Sequence, residues 1–232
     1  TGATSVTLTA DGAWSVTGST LKTALDGAVR LVGTLAVTDI ASGDETGAST
    51  TFSATNTGAT SVTLAAADGT LSVAASTLSA DLSSGIKYLG ALTVTDIASG
   101  DETAALAAYT AALTGATSVS LTASDTNWSV TTADLATALT AGVRFAGALT
   151  VTGIADANET AALTAYTSAI TGATSVTLAA TDTVWSVTAA NLTTALAAGV
   201  RLAGTLTVTG IENGDETAAL TAFTATTTGA TS

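Results

Sequence analysis

Residues 57–113 read TGATSVTLAAADGTLSVAASTLSADLSSGIKYLGALTVTDIASGDETAALAAYTAAL, and this stretch sets the organisation of the whole chain. Its opening pentapeptide, Thr-Gly-Ala-Thr-Ser, occurs at Thr1, Thr57, Thr114, Thr171 and Thr228, with spacings of 56, 57, 57 and 57 residues. A fixed period of this length is typical of tandem-repeat architectures. The chain therefore divides into copy 1 to copy 4, at residues 1–56, 57–113, 114–170 and 171–227, and residues 228–232 begin a fifth copy.

Equivalent positions in the copies, which we call columns, hold similar side chains throughout. One column is mostly Trp, one is basic, one is Glu and one is aromatic; in order, they are Trp14, Leu71, Trp128, Trp185; Arg30, Lys87, Arg144, Arg201; Glu45, Glu102, Glu159, Glu216; and Phe52, Tyr109, Tyr166, Phe223. No Pro-rich or Gly/Ser-rich linker separates the copies. We therefore expect neighbouring copies to stack and to bury a shared core, because one such unit alone would be only marginally stable.

Composition excludes several functional classes. The chain has no Cys, Met, His or Pro, which removes disulfides, thiolate or imidazole metal sites, and Ser-His or Cys-His catalytic pairs. Five basic residues against 18 acidic ones give a net charge of -13, which disfavours nucleic acid and anionic membrane surfaces as partners. No apolar run is long enough for a transmembrane segment. We expect no enzymatic activity.

The first half of each copy shows two strand patterns and one helix pattern. In copy 2, Ser61-Val62-Thr63-Leu64 and Leu71-Ser72-Val73 alternate in polarity around Asp68-Gly69, which predicts a β-hairpin. Leu78, Leu82 and Ile86 then follow a helical period. Thr17, Thr131 and Thr188 stand at helix N-cap positions, and Thr131 with Asp134 resembles a capping box. Gly near each helix end predicts a left-handed stop, at Gly27, Gly85, Gly142 and Gly199.

The second half of each copy adds another strand and helix. Leu92-Thr93-Val94-Thr95 predicts the strand, and Leu106, Tyr109 and Leu113 predict the helix. In copy 1 the corresponding segment, residues 47–52, is poor in helix formers, so we expect it to be irregular or shortened. The predicted fold class is α/β, a solenoid-like tandem-repeat array of four strand-strand-helix-strand-helix units with some parallel pairing.

The run from Ser175 to Ile211 contains Val-Thr-Leu, a Thr-Asp turn, Trp-Ser-Val-Thr-Ala-Ala-Asn-Leu and Gly-Thr-Leu-Thr-Val-Thr-Gly. It resembles the Ala/Thr-rich tandem repeats of very large secreted bacterial surface proteins: adhesins, S-layer-like proteins and type I secretion substrates. The resemblance covers the whole chain and implies an extracellular or cell-surface location. The Gly- and Asp-rich nonapeptide of calcium-binding β-rolls is absent, so no metal site follows from that family.

Acidic residues cluster where the second helix of each copy begins. Carboxylates near Gly and backbone carbonyls suit Ca²⁺, whereas Asp and Glu at a helix start also satisfy free amides and favour the helix dipole. Both interpretations stay open, and weak calcium binding is the only cofactor interaction we consider. The candidate metal ligands are Asp39, Asp44, Glu45, Asp96, Asp101, Glu102, Glu212, Asp215 and Glu216. Copy 3 offers Gly153, Asp156, Asn158 and Glu159 instead and should bind worst.

Three further columns invite a binding role. The basic column follows a helix end, where positive charge is favoured, and we expect internal pairing there rather than an anion site. The Trp column includes Leu71, which fits a core position better than a sugar-stacking platform. Alternate Thr residues predict a solvated strand face or, alternatively, an ice-contacting row: Thr34 and Thr38, Thr93 and Thr95, Thr150 and Thr152, and Thr205, Thr207 and Thr209.

The repeat pattern indicates a structural segment without catalysis, and the resemblance implies that it belongs to an extracellular or cell-surface protein and serves as a lattice, filament or adhesin stalk. The alternative is a binding module that uses a repeated face for calcium-dependent glycan or ice contact. The expected partners are neighbouring repeats or copies of the chain itself, together with a possible glycan. We expect no nucleic-acid partner and no transmembrane segment.

Overall fold

A computed structural model describes residues 4–231. Strands and helices alternate along these residues. The strands are β1 Val6–Thr9, β2 Trp14–Thr17, β3 Val29–Val32, β4 Thr34–Ile40, β5 Ser61–Ala74, β6 Ile86–Ile97, β7 Ser118–Thr131, β8 Val143–Ile154, β9 Ser175–Thr188 and β10 Val200–Thr209. The α-helices are α1 Gly18–Asp26, α2 Glu45–Thr51, α3 Ala54–Thr57, α4 Ala75–Ser83, α5 Glu102–Ala108, α6 Ala111–Thr114, α7 Thr132–Thr140, α8 Glu159–Ala165, α9 Ser168–Thr171, α10 Ala189–Ala197, α11 Glu216–Ala222 and α12 Ala225–Thr228. A 3₁₀ turn, Asp156–Asn158, precedes α8.

The described residues form a mixed α/β structure with an eight-stranded sheet in the order β10-β9-β8-β7-β6-β5-β4-β2 and a two-stranded sheet of β1 and β3. Strand pairs throughout these sheets are parallel. A helix follows nearly every strand in copies 2 to 4, and a helical crossover returns the chain in its original direction. The predicted α/β class with parallel pairing is confirmed.

The predicted hairpin at Asp68-Gly69 is wrong. In copy 2 the two alternating runs belong to one long strand, β5, and both pair in parallel with β6. Val62 lies opposite Ile86, and Leu71 lies opposite Leu92, with a shift in register between Ala65 and Thr70. The Asp-Gly turn is therefore a bulge within a strand, because pairing with β6 fixes the direction of both halves.

The predicted second helix is split in two in every copy. In copy 2, α5 ends at Ala108, and the hydroxyl of Thr110 accepts from the N–H of Leu113 to start α6. Copy 1 forms the same pair, α2 and α3, with the same lengths as α5 and α6, so the expectation of an irregular or shortened segment there is wrong. Ala48, Ser49 and Phe52 are buried, so packing outweighs weak helix propensity.

Caps and stops follow the sequence prediction closely. Thr17 and Thr188 accept hydrogen bonds from N–H groups in the first turns of α1 and α10. Gly85, Gly142 and Gly199 have φ values of 79°, 79° and 80°, which confirms the left-handed stop. In copy 1, Gly27 is not left-handed; Ala28, in the column of Gly85, takes φ 60° instead.

Two compact units can be distinguished. The first comprises the described part of Thr1–Ile97 with Ala107–Leu121 and Ala141–Val143, and the second comprises Ala98–Leu106, Thr122–Thr140 and the described part of Arg144–Ser232. Aliphatic side chains of strands and helices fill the core of the first, including Leu35, Leu64, Leu71 and Leu78. The core of the second adds large aromatic side chains, Trp128, Phe145 and Trp185, to Leu178 and Leu192.

None of the helices formed by residues 4–231 is both long and apolar enough to cross a bilayer.

Candidate functional site

The Glu column provides the first residue of α2, α5, α8 and α11, and its carboxylates bind backbone amides. Glu45 is 2% exposed, and its Oε2 accepts a hydrogen bond of 2.8 Å from the N–H of Gly43. Gly100 and Gly214 donate in the same way to Glu102 and Glu216. The glutamate thus closes the turn that leads into its own helix.

The same carboxylate also reaches the following copy. Oε1 of Glu45 accepts from the N–H of Ser72 at 3.4 Å, and Oε2 of Glu159 accepts from the N–H of Ser186 at 3.0 Å. Ser72 and Ser186 lie in the second halves of β5 and β9. These bonds link copy 1 to copy 2 and copy 3 to copy 4. Sequence reasoning missed this role, because the acceptor and donor are 27 residues apart.

Glu216 has the same local geometry without that second bond. It is exposed, and hydrogen bonds from its own backbone N–H and from Gly214 lower the pKa of its carboxyl group. The Glu216 carboxylate therefore stays charged, in the column where Glu45 and Glu159 accept a hydrogen bond from a strand N–H.

The aspartates of the predicted metal sites are placed differently. Asp44 and Asp215 precede α2 and α11, and neither side chain makes a capping hydrogen bond. Asp39 and Asp96 both have φ 58°, and the same column holds Gly153 and Gly210 at φ 74° and 68°. Asp and Gly are the residues that tolerate this left-handed conformation best. Backbone geometry therefore accounts for the Asp/Gly alternation in this column.

Among residues 4–231, no group of three or more acidic side chains is arranged to hold a metal ion. Calcium binding stays a prediction. We expect Ca²⁺ to shift the thermal unfolding midpoint no more than Mg²⁺ does, because Glu45 already binds backbone amides, and a chelator titration measures this directly. A Ca²⁺-specific shift that Asp101→Asn abolishes would contradict that expectation.

An open groove lies beside the acidic corner in three of the copies. In copy 1 it has a volume of about 390 Å³, and Lys22, Asp39, Asp44 and Phe52 contribute to its lining. Equivalent grooves in copies 3 and 4 measure about 360 and 440 Å³. Their charged lining differs from copy to copy, since Lys22 and Asp39 have no charged counterparts there. The grooves have similar volumes and lie at equivalent positions, but no charged side chain is common to the lining of all three.

Basic side chains of the predicted column bond to carbonyl groups near helix ends. Nη1 of Arg144 donates to the carbonyl of Leu139 at 3.5 Å, and Arg201 donates likewise to Leu196. The ammonium group of Lys87 donates to the carbonyl of Leu113 in α6. These contacts run to carbonyl oxygens near helix ends, where positive charge is favoured, and the expected pairing of this column with carboxylates stays a prediction.

Trp128 and Trp185 are buried core residues, as predicted, and Leu71 is equally buried in their column. Their indole N–H groups donate to the carbonyls of Ala146 and Ala203 at 3.2 and 3.0 Å. Trp128 also meets Phe145 edge to face, with ring centroids 5.1 Å apart. Packing therefore explains this column.

The Thr rows are less open than a solvated face would be. Thr93, Thr95, Thr150 and Thr152 are half-buried, whereas Thr205, Thr207 and Thr209 are exposed. Three of the hydroxyls donate to carbonyls on the neighbouring strand: Thr38 to Val16, Thr152 to Val130 and Thr209 to Val187. Some hydroxyls of these rows therefore already form hydrogen bonds within the sheet.

One buried polar cluster breaks the column pattern. The hydroxyl of Tyr88 donates to the carboxylate of Asp81, and the side chain of Ser49 lies beside the Tyr88 hydroxyl and donates to the carbonyl of Thr46. Tyr88, Asp81 and Ser49 are buried, and burial together with Asp81 raises the pKa of Tyr88 far above its ordinary value. The equivalent residues elsewhere are apolar: Leu106, Leu163 and Leu220; Ala24, Ala138 and Ala195; and Leu31, Phe145 and Leu202. Three columns that are apolar in the other copies hold polar residues here, and this shared exception was the signal in the sequence that could have revealed the cluster.

Comparison of the sequence with protein families and curated proteins, and of the structure with solved structures, found no match.

Proposed function

We propose that this chain is a structural repeat segment of an extracellular or cell-surface protein, used as a lattice, filament or adhesin stalk. In this proposal the four copies form a solenoid-like array, and each copy is a stacking surface for the next. The resemblance of the Ala/Thr-rich copies to large secreted bacterial repeat proteins supports the location.

The junction between copies is the observation that carries the proposal. In the first unit, Leu35 and Val37 of copy 1 pair with Val62 and Leu64 of copy 2. In the second unit the equivalent residues of copies 3 and 4 pair in the same register, Leu149 with Val176 and Val151 with Leu178. All eight side chains are at most 1% exposed. Neighbouring copies thus pair their strands and bury a common core, as the copies of a stacked repeat array do.

The recurring features of the chain serve this packing. Glu45 and Glu159 tie one copy to the next, Trp128 and Trp185 fill the core, and the basic column bonds to helix carbonyls. The open grooves differ in their charged residues, and part of the Thr hydroxyls bond within the sheet. These features favour a spacer over the alternative, a repeated face for calcium-dependent glycan or ice contact.

Surface labelling tests the proposed function. Antibodies raised against the chain should label intact cells of the species that encodes it, and external protease should remove the signal. An antibody against a cytosolic protein, which should label lysed cells alone, is the control. Labelling by the chain's antibody that appears only after lysis would overturn the proposed location. Saturable Ca²⁺-dependent glycan binding by the purified chain would instead favour the binding module.

A further inference from the structure

The surface where copy 1 meets copy 2 differs from the equivalent surfaces later in the chain. Helix α2 of copy 1 packs against β5 of copy 2. Ser49 of α2 is 1% exposed, and its side chain lies beside the Tyr88 hydroxyl, which donates to the carboxylate of Asp81. Ser49 belongs to copy 1, and Asp81 and Tyr88 belong to copy 2, all within the first unit. A buried polar cluster therefore spans this junction.

The same three columns are apolar at the junctions within the second unit. Where copy 4 follows copy 3, α8 packs against α10 and β9. The residues of the three columns are buried at both later junctions: Leu106, Ala138 and Phe145 for copies 2 and 3, and Leu163, Ala195 and Leu202 for copies 3 and 4. Each later junction therefore combines one leucine, one alanine and one large apolar side chain.

Size and polarity make the two kinds of surface incompatible. The carboxylate of Asp81 and the hydroxyl of Tyr88 add polar atoms that the later junctions lack, and the short side chain of Ser49 leaves room for them. Ser49→Leu would crowd these atoms and surround a buried carboxylate with methyl groups, which disfavours the charge. Ser49 placed against copy 3 would instead leave a cavity in the space that Leu106 fills.

We propose that Ser49, Asp81 and Tyr88 form a junction key, a set of side chains that lets copy 1 pack on copy 2 and disfavours its packing on copies 3 and 4. Ser49 determines the specificity on copy 1, and the Asp81–Tyr88 pair determines it on copy 2. Apolar contacts alone accept several partners of similar shape, whereas a buried polar group selects one. Copies as similar as these can otherwise pair out of order during folding.

Deletion of copy 2 tests whether the junction key sets the order of copies. Removing residues 57–113 joins Asn56 to Thr114, keeps every column in phase and sets Ser49 against the apolar residues of copy 3. In that variant Ser49→Leu should raise the thermal midpoint by about 3 °C or more, because the leucine fills the cavity. Deletion of residues 114–170, which keeps the junction of copies 1 and 2, is the control. There the same substitution should lower the midpoint. A shift of the same sign in both deletions overturns the proposal.

The full chain provides a second test that does not depend on the folding of a shortened chain. In the parent, Ser49→Leu should lower the thermal midpoint by about 3 °C or more, because it overpacks the polar cluster. In the variant with Asp81→Ala and Tyr88→Phe, which carries the copy 3 side chains, Ser49→Leu should raise the midpoint. Ser49→Ala adds no volume and should give neither the full loss nor the full gain. Equal effects of Ser49→Leu in both backgrounds overturn the proposal.

The junction key rests on the proposed function only in treating copies as stacking surfaces. Surface labelling of cells does not depend on Ser49, so a failed key leaves the proposed location standing. Labelling that appears only after lysis would in turn leave the melting experiments unchanged.

Discussion

At the residue scale, one glycine column lies where β6, β8 and β10 pass close to the bulge of the neighbouring strand. Gly90, Gly147 and Gly204 have φ near 110°, and a Cβ at Gly147 would lie 2.3 Å from the carbonyl oxygen of Thr126 in the facing bulge. Gly33 has φ 111°, but a Cβ there would lie 4.0 Å from the corresponding oxygen of Gly12. A side chain at Gly33 would therefore meet backbone strain alone, whereas a side chain at Gly147 would meet both strain and steric overlap.

We expect Gly147→Ala to lower the free energy of unfolding by about 3 kcal/mol or more, because strain and overlap add. Gly33→Ala should cost only about 1–2 kcal/mol, which is the strain alone. Chemical denaturation of both variants measures the difference. Equal losses would show that the bulge relaxes away from the new methyl group.

The sequence predicts the role of a single residue well where its interaction partner lies within a few residues along the chain. The caps Thr17 and Thr188 and the stops Gly85 and Gly142 depend on neighbours within a few residues, and the sequence predicts them. The Gly147 column had no such signal, because its need for glycine arises from Thr126, which lies on another strand. The Glu column was recognised as a helix start, but its bond to Ser186 depends on a distant strand.

At the scale of elements, the carboxylate between copies is the feature most open to measurement. Glu159 is 5% exposed and accepts from Ser186, whereas Glu216 in the same column is exposed. We expect Glu159→Gln to lower the free energy of unfolding by about 1–2 kcal/mol, since a charged acceptor of a buried amide is replaced by a neutral one. Glu216→Gln, measured by the same thermal denaturation, should cost less, because its carboxylate bonds only within its own helix start, to Gly214 and its own N–H. A similar loss in both would assign the effect to the helix start rather than to the junction.

The Asp81–Tyr88 pair links α4 to β6 through a buried polar contact. Tyr88→Phe should destabilise by about 2–4 kcal/mol, because it leaves the Asp81 carboxylate buried without its donor. The double variant Tyr88→Phe with Asp81→Ala reproduces the apolar pair Phe145 and Ala138 of copy 3 and should return within about 1 kcal/mol of the parent. A double-mutant cycle by urea denaturation tests this coupling, and additive losses would contradict it.

The same cluster predicts an alkaline dependence. Burial, reinforced by Asp81, raises the pKa of Tyr88, so the folded state retains its proton after the unfolded chain has lost it. Its contribution to stability is complete below the ordinary tyrosine value and is lost as the pH rises above about 10. The parent should therefore lose more stability than the double variant between about pH 9 and pH 11.5. Parallel pH profiles would contradict this prediction.

The failed hairpin shows why elements were harder to predict than residues. Asp68-Gly69 between alternating runs fits a hairpin locally, and the pairing of both halves of β5 with β6 overrides it. The helix Ala75–Ser83 lies between those strands and sets their parallel direction, so the deciding contact is non-local. Copy 1 gave the opposite error, since weak helix formers in α2 became helical once Phe52 and Ala48 were buried.

At the scale of the whole molecule, an array of interchangeable copies makes a prediction about deletions. Removing residues 114–170 joins Leu113 to Thr171, and every column then stays in phase across the new junction. Val94 should meet Leu178 as Val151 does in the parent chain, and Glu102 should reach the N–H of Ser186. Nearest-neighbour packing predicts a folded protein with a cooperative thermal transition and near-native dichroism, at some loss of stability. Deletion of residues 114–142 is the control: it removes β7 and α7 and sets β8 directly after α6, so that β6 keeps β5 but loses its other neighbour, β7. That variant should lose cooperative unfolding and expose apolar strand edges to aggregation. If the deletion of residues 114–170 also fails to fold, the copies are not interchangeable.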